Sequence, residues 1–210
     1  MHIADGLLEP EVVAAGFALS AALAVYSLKN RQDREKFSAL VPRISMVTAA
    51  LFVSSLLNIP VGPTTVHFSF VGLAGILLGP LSVIAVIVSL IMQLLLFNHG
   101  GFSTLGMNAA NFALAALAAH YLFQLRKSQI FRQSWHKYLA FLAAAAATLV
   151  KIAGASLALY YSGFPAGVGL SLTAVHLPII LAEGILTAAV VMILLKGKRV
   201  FIYEELLDFV

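Results

Sequence analysis

Six apolar stretches near twenty residues long punctuate the chain, at about 10–29, 43–57, 81–97, 105–124, 138–160 and 177–195. A helix needs about 20 residues to cross about 30 Å of hydrocarbon, because each residue rises only about 1.5 Å. Only 10% of the 210 residues are charged and 61% are apolar. Soluble domains carry about 25% charged residues, so these few cannot cover a globule of this size. The charges sit in short clusters between the apolar runs, as in a polytopic membrane protein and unlike a basic nucleic-acid-binding surface. With no cysteine, a disulfide framework, a thiolate metal site and a Cys nucleophile are excluded.

A shorter apolar segment, 66–79, contains Gly72, Gly75 and Gly79 and reads as either a short span or a re-entrant loop. Charge decides between them. Twelve of the thirteen Lys and Arg lie in three clusters: Lys29 to Arg43, Arg126 to Lys137, and Lys196 to Arg199. Segments 1–9, 58–65, 98–104 and 161–172 hold none. Cytoplasmic loops are the basic ones. Counting 66–79 as a span puts every basic cluster inside and every bare segment outside. The expected fold is therefore all-α, a single membrane domain over 1–210 in the plasma membrane. It has seven transmembrane helices, one of them short, with the N-terminus outside and the C-terminus cytoplasmic. The opening residues carry no basic n-region, so they do not read as a cleaved leader.

Lys151 and Glu183 stand at similar depth in the last two helices. Intramembrane charges usually face the bundle interior and pair. They read as a structural ion pair or, alternatively, as the path of a self-sufficient secondary cation transporter or channel. In the first helix, Ala14, Ala18 and Ala22 form a small-residue face suited to close helix contact, within this chain or with another protein. No HExxH, GxSxG or Walker A sequence is present, so neither a zincin protease nor intrinsic ATP hydrolysis is expected.

Among six histidines, His2 stands apart by position. A free α-amine, the backbone nitrogen of residue 2 and the residue-2 Nδ1 can close a five-membered and a six-membered chelate ring on one metal. Three nitrogens then occupy three corners of a square. Tetragonal nitrogen sites suit Ni(II) and Cu(II) better than Zn(II). His67, expected at the outer start of the short helix, can supply a fourth nitrogen, as can His99; either can equally cap or hydrogen-bond its own element. Residues 1–9 thus read as a metal-chelating segment.

The opening MHIADGLLEP, the stretch GPTTVHFSFVGLAGILLGP and the stretch LLLFNHGGFSTLGMNAANFA resemble the NikM/CbiM family, NikM-like members above all. These are substrate-binding components of energy-coupling-factor nickel and cobalt transporters. The resemblance implies Met1, His2 and His67 as metal ligands; His99, Ser69 and Asn111 are expected around them, orienting ligands through hydrogen bonds. It implies Ni(II), alternatively Co(II), as bound substrate, with no resident cofactor and no nucleic acid. It also implies partners: a transmembrane coupling protein, two ABC-type ATPases that hydrolyse ATP, and in some systems a small accessory membrane subunit. The chain itself is then not an enzyme. ADGLLEP departs from the version in many relatives, which leaves nickel against cobalt open.

Overall fold

The computed structural model describes residues 2–29, 34–61, 64–128 and 130–196. In chain order the elements are α1 (Pro10–Leu28), α2 (Arg34–Leu56), β1 (Asn58–Val61), β2 (Thr64–His67), α3 (Val71–Leu78), α4 (Ser82–Phe97), α5 (Leu105–Gln124), α6 (His136–Tyr161) and α7 (Gly167–Lys196). Five segments among the described residues are long and apolar enough to cross a bilayer: Pro10–Leu28, Phe37–Leu56, Val71–Phe97, Gln133–Tyr161 and Gly167–Lys196. Large apolar side chains such as Val25, Val53, Leu95, Leu157, Ile185 and Ile193 lie exposed on the outer faces. Hydrocarbon, unlike water, is a solvent for such a surface. The chain is a multi-pass membrane protein.

α5 runs through the middle of the bundle, packed against α1, α3, α4 and α6. Its Ala109, Ala110, Ala113, Ala115, Ala116 and Ala119 are all buried. Small side chains let neighbouring backbones approach, the usual means of helix association in a bilayer. The α1–α5 crossing is closest at two glycines. A Cβ on Gly16 would sit 2.6 Å from the Met107 backbone, and one on Gly106 would sit 2.6 Å from the Phe17 backbone. The buried residues of α1 are Gly16, Ser20 and Ser27. Ala14, Ala18 and Ala22 point away from the bundle, so their small-residue face meets no helix of the described chain.

The region expected as a helix over 66–79 is built differently. β1 and β2 form an antiparallel pair with Asn58 opposite His67, and helix begins only at Val71. The β-branched run Thr64-Thr65-Val66 favours extended backbone, and Phe70 then takes a left-handed conformation at φ 45°. Eight residues of α3 rise about 12 Å, too short to cross alone. A 3₁₀ turn at Gly79–Leu81 joins α3 to α4, with Gly79 at φ 56°. Two helices are longer than their apolar cores. α2 starts at Arg34, among basic residues, and α7 starts at Gly167, with Pro178 inside it. His176, expected before the last helix, therefore lies within α7. Proline is tolerated in membrane helices because neighbours satisfy the freed carbonyl.

Candidate metal centre

The N-terminal segment folds back across the start of α5. Asn108 grips the Ile3 peptide unit twice: Ile3 N–H donates to its Oδ1 at 2.9 Å, and its Nδ2 donates to the Ile3 carbonyl at 2.9 Å. The Thr104 hydroxyl donates to that carbonyl at 2.7 Å. Asp5 accepts from Phe102 N–H (3.0 Å), Ser103 N–H (2.8 Å) and the Ser103 hydroxyl (2.6 Å). The Ser103 hydroxyl bond, with the backbone bonds, holds the Asp5 carboxyl below the usual carboxylate range. The 98–104 loop admits this strand of chain because residue 101 is glycine: a Cβ there would overlap the Asp5 carboxylate and backbone nitrogen. The Ile3 side chain is buried with Ala155, Ala158 and Leu159. The backbone around residue 2 is thus fixed on both sides of the Ile3 peptide.

His67 ends β2 and is buried. Its Nδ1–H donates to the Phe68 carbonyl at 3.0 Å, which leaves Nε2 with its lone pair. That Nε2 lies 3.3 Å from His2 Nδ1. Two nitrogens on one ion, each at about 2 Å, stand at most about 4 Å apart, so the pair is within reach of a single metal. The two rings are stacked, with centroids 5.1 Å apart. His99 stands edge-on to both, 4.4 Å from the His2 ring and 5.3 Å from the His67 ring. One ring nitrogen from each of the three lies within 4.8 Å of the others. His2 Nε2 and His99 Nε2 are buried without hydrogen-bond partners. Burial holds all three imidazoles below their ordinary range, His67 down to about 2. They are therefore neutral and have lone pairs to give at physiological pH. Met1, the expected amine ligand, lies outside the described residues.

The residues expected to orient the ligands divide. His99 stands with His2 and His67 in the histidine cluster. Ser69 turns away from the imidazoles: its hydroxyl receives Lys151 Nζ at 2.8 Å and donates to Glu183 Oε1 at 3.0 Å. Asn111 lies against Gly154 of α6, beside a groove between α1, α5 and α6. Asn108, one turn earlier, takes the supporting position instead. Asn108 and Asn111 are both embedded amides of α5, and the rotation of that helix turns Asn108 to Ile3. His120, His136 and His176 stand outside the cluster. His120 faces Gln124 and Tyr121, and His176 donates to the Leu172 carbonyl at 2.8 Å.

Lys151 and Glu183 are both buried and are joined through Ser69. Glu183 Oε1 also accepts the N–H of Ser69 and, at 3.1 Å, that of Phe70; Thr148 donates to Oε2 at 2.8 Å. The carboxylate of α7 thereby caps the N-terminus of α3, where unpaired N–H groups favour an anion. Lys151 Nζ also lies 5.1 Å from the Phe112 ring, and that ring stacks on His2 at 5.0 Å.

Residues 2–200 match the family model described as CbiM, the cobalt uptake substrate-specific transmembrane region. The chain belongs to the CbiM family. A cobalt transport protein CbiM of Sorangium cellulosum is 32% identical over 98% of this chain and 96% of its own length. CbiM of Clostridium tetani is 30% identical over 93% of this chain and 85% of its own. The fused nickel transport protein NikMN of Rhodobacter capsulatus is 35% identical over 54% of this chain. The match covers only 33% of that protein, and 59% and 64% of two further metal-transport relatives. A crystal structure of a transition metal transporter superposes with a TM-score of 0.76 at 26% identity, covering 93% of both chains. These CbiM relatives are membrane metal-transport proteins rather than enzymes, and nickel or cobalt uptake is the business of the family.

Proposed function

We propose that this chain is the substrate-capture subunit of an ATP-driven importer, taking Ni(II), or Co(II), from outside the plasma membrane. The ion is held in a plane of four nitrogens: the Met1 amine, the His2 amide and Nδ1, and His67 Nε2. The observation that carries this reading is the 3.3 Å approach of His2 Nδ1 to His67 Nε2 at a buried site. At that distance a proton or a cation between the two nitrogens joins them. The doubly anchored Ile3 peptide supports it further, since an amide nitrogen ligates well only if its chain is already positioned.

With the basic connections inside, the N-terminal chelate faces the side from which the ion arrives. A coupling protein and two ABC-type ATPases, with a small accessory membrane subunit in some systems, supply the energy for release. Genes for such partners beside this one would support that assembly, and an isolated gene would favour a self-sufficient transporter. Metal analysis of the purified protein with a native N-terminus tests the reading. It predicts one diamagnetic, yellow Ni(II) per chain; sulfur ligands or six light neighbours in X-ray absorption contradict it.

A further inference from the structure

The loop that carries His67 hangs from α7. It has no regular structure between β2 and α3, and Phe70 within it holds a left-handed backbone that a bulky residue seldom adopts. What fixes it is one carboxylate: Glu183 takes the N–H groups of Ser69 and Phe70 together with the Ser69 hydroxyl. Lys151 of α6 orients that hydroxyl from its other side. The His2 half of the site is fixed elsewhere, by Thr104 and Asn108 at the start of α5 and by the 101–103 loop. The two ligand histidines are therefore tied to different helices.

We propose that Ser69 and Glu183 are positioning residues for His67, and that α7, through them, sets the separation of His67 Nε2 from His2 Nδ1. The inference rests on the His2–His67 reading of the metal site. A shift of α7 against α5 pulls the Ser69–Phe70 backbone, and with it His67, while His2 stays on Asn108. The ion then loses its one ligand from outside the N-terminal chelate. This gives the partner proteins a lever: they need move only α7 to loosen the metal. Neither Ser69 nor Glu183 touches the ion, so each acts through the loop.

The test uses the full chain with its native N-terminus, loaded with Ni(II), and follows chelator-driven release together with the visible spectrum. Glu183→Gln keeps one side-chain oxygen for both backbone N–H groups while it loses the charge and turns Oε2, the acceptor of Thr148, into an NH2 donor. It should lower the melting temperature yet release nickel at close to the parent rate with an unchanged spectrum. Glu183→Leu and Ser69→Ala should release nickel about 10- to 100-fold faster, the range for loss of a group that orients a ligand, and should shift the spectrum. Lys151→Met combined with Glu183→Leu removes the unpaired charge and should recover stability but not slow release. That double variant and Ser69→Ala decide the matter if Glu183→Leu does not fold. A purely structural ion pair predicts the reverse: Glu183→Gln as damaging as Glu183→Leu, and the double variant normal in both stability and release. Parent-like release and spectrum in Ser69→Ala and the double variant overturn the proposal. A parent protein without planar nickel overturns the site reading itself.

Discussion

One residue added before Met1 moves the α-amine a peptide unit away from His2 and opens the five-membered ring; acetylation removes the amine as a ligand altogether. Either change should abolish tight nickel binding, measured by calorimetry, while circular dichroism and melting stay normal. His67→Ala should weaken binding far more than His120→Ala, because His120 packs against Gln124 and Tyr121, outside the cluster. His99→Ala should fall between them, since its buried Nε2 faces the site from the edge. Reversal of the His67 and His99 effects would reassign the fourth nitrogen.

The same imidazoles set the pH response. Burial lowers their folded-state pKa, so below the unfolded value near ~6.5 the unfolded chain binds protons that the folded one refuses. Stability from these groups is full above that pH and declines as pH falls toward the folded values. The amine and amide must also lose protons to bind metal. Nickel affinity should therefore fall steeply from pH 8 to pH 5.5, with more than one proton released per ion in calorimetry across buffers of different ionisation heat. A flat profile is incompatible with four nitrogen ligands.

Among the elements, the start of α5 matters most to the chelate. Asn108→Ala leaves the Ile3 N–H and carbonyl without their amide partner. That should cost about 1–3 kcal/mol in denaturant unfolding and about 10- to 100-fold in nickel affinity. The long helices were legible in the sequence because apolar length and Gly or Pro breaks are local signals. His2 could be singled out in the sequence because it is defined by its place in the chain, and the structure brings it beside His67 and His99. The β1–β2 pair was not legible: most of it lies in the 58–65 segment, which reads as a plain connection, and pairing of Asn58 with His67 is not a local signal. Asn111 was the embedded amide singled out, while the amide that holds Ile3 is Asn108; both lie on one helix, and only its rotation against the N-terminal segment tells them apart. Ser69 fell within the expected short helix, whereas it lies in the connection between β2 and α3, and its partners, Lys151 and Glu183, come from helices far along the chain.

For the whole molecule, the orientation in the membrane decides which side loads the site. The chain has no cysteine, so single introduced thiols report cleanly. Ala166→Cys, in the exposed segment between α6 and α7, should react with a membrane-impermeant maleimide added outside intact cells. Ser134→Cys, exposed between α5 and α6, should react only after permeabilisation. The opposite pattern would invert the importer. The outward Ala14, Ala18 and Ala22 face has no neighbour in the described chain, while the metal centre is held from within by α5, α6 and α7. Under the proposed function, capture belongs to this chain and energised release to an assembly. The most direct measurement of the central claim is the visible and magnetic signature of Ni(II) bound to the purified protein, compared between a native N-terminus and one extended by a single residue. The account predicts yellow, diamagnetic, planar nickel in the first and no tight binding in the second. Undiminished binding by the extended protein, or paramagnetic six-coordinate nickel in the native one, would contradict it.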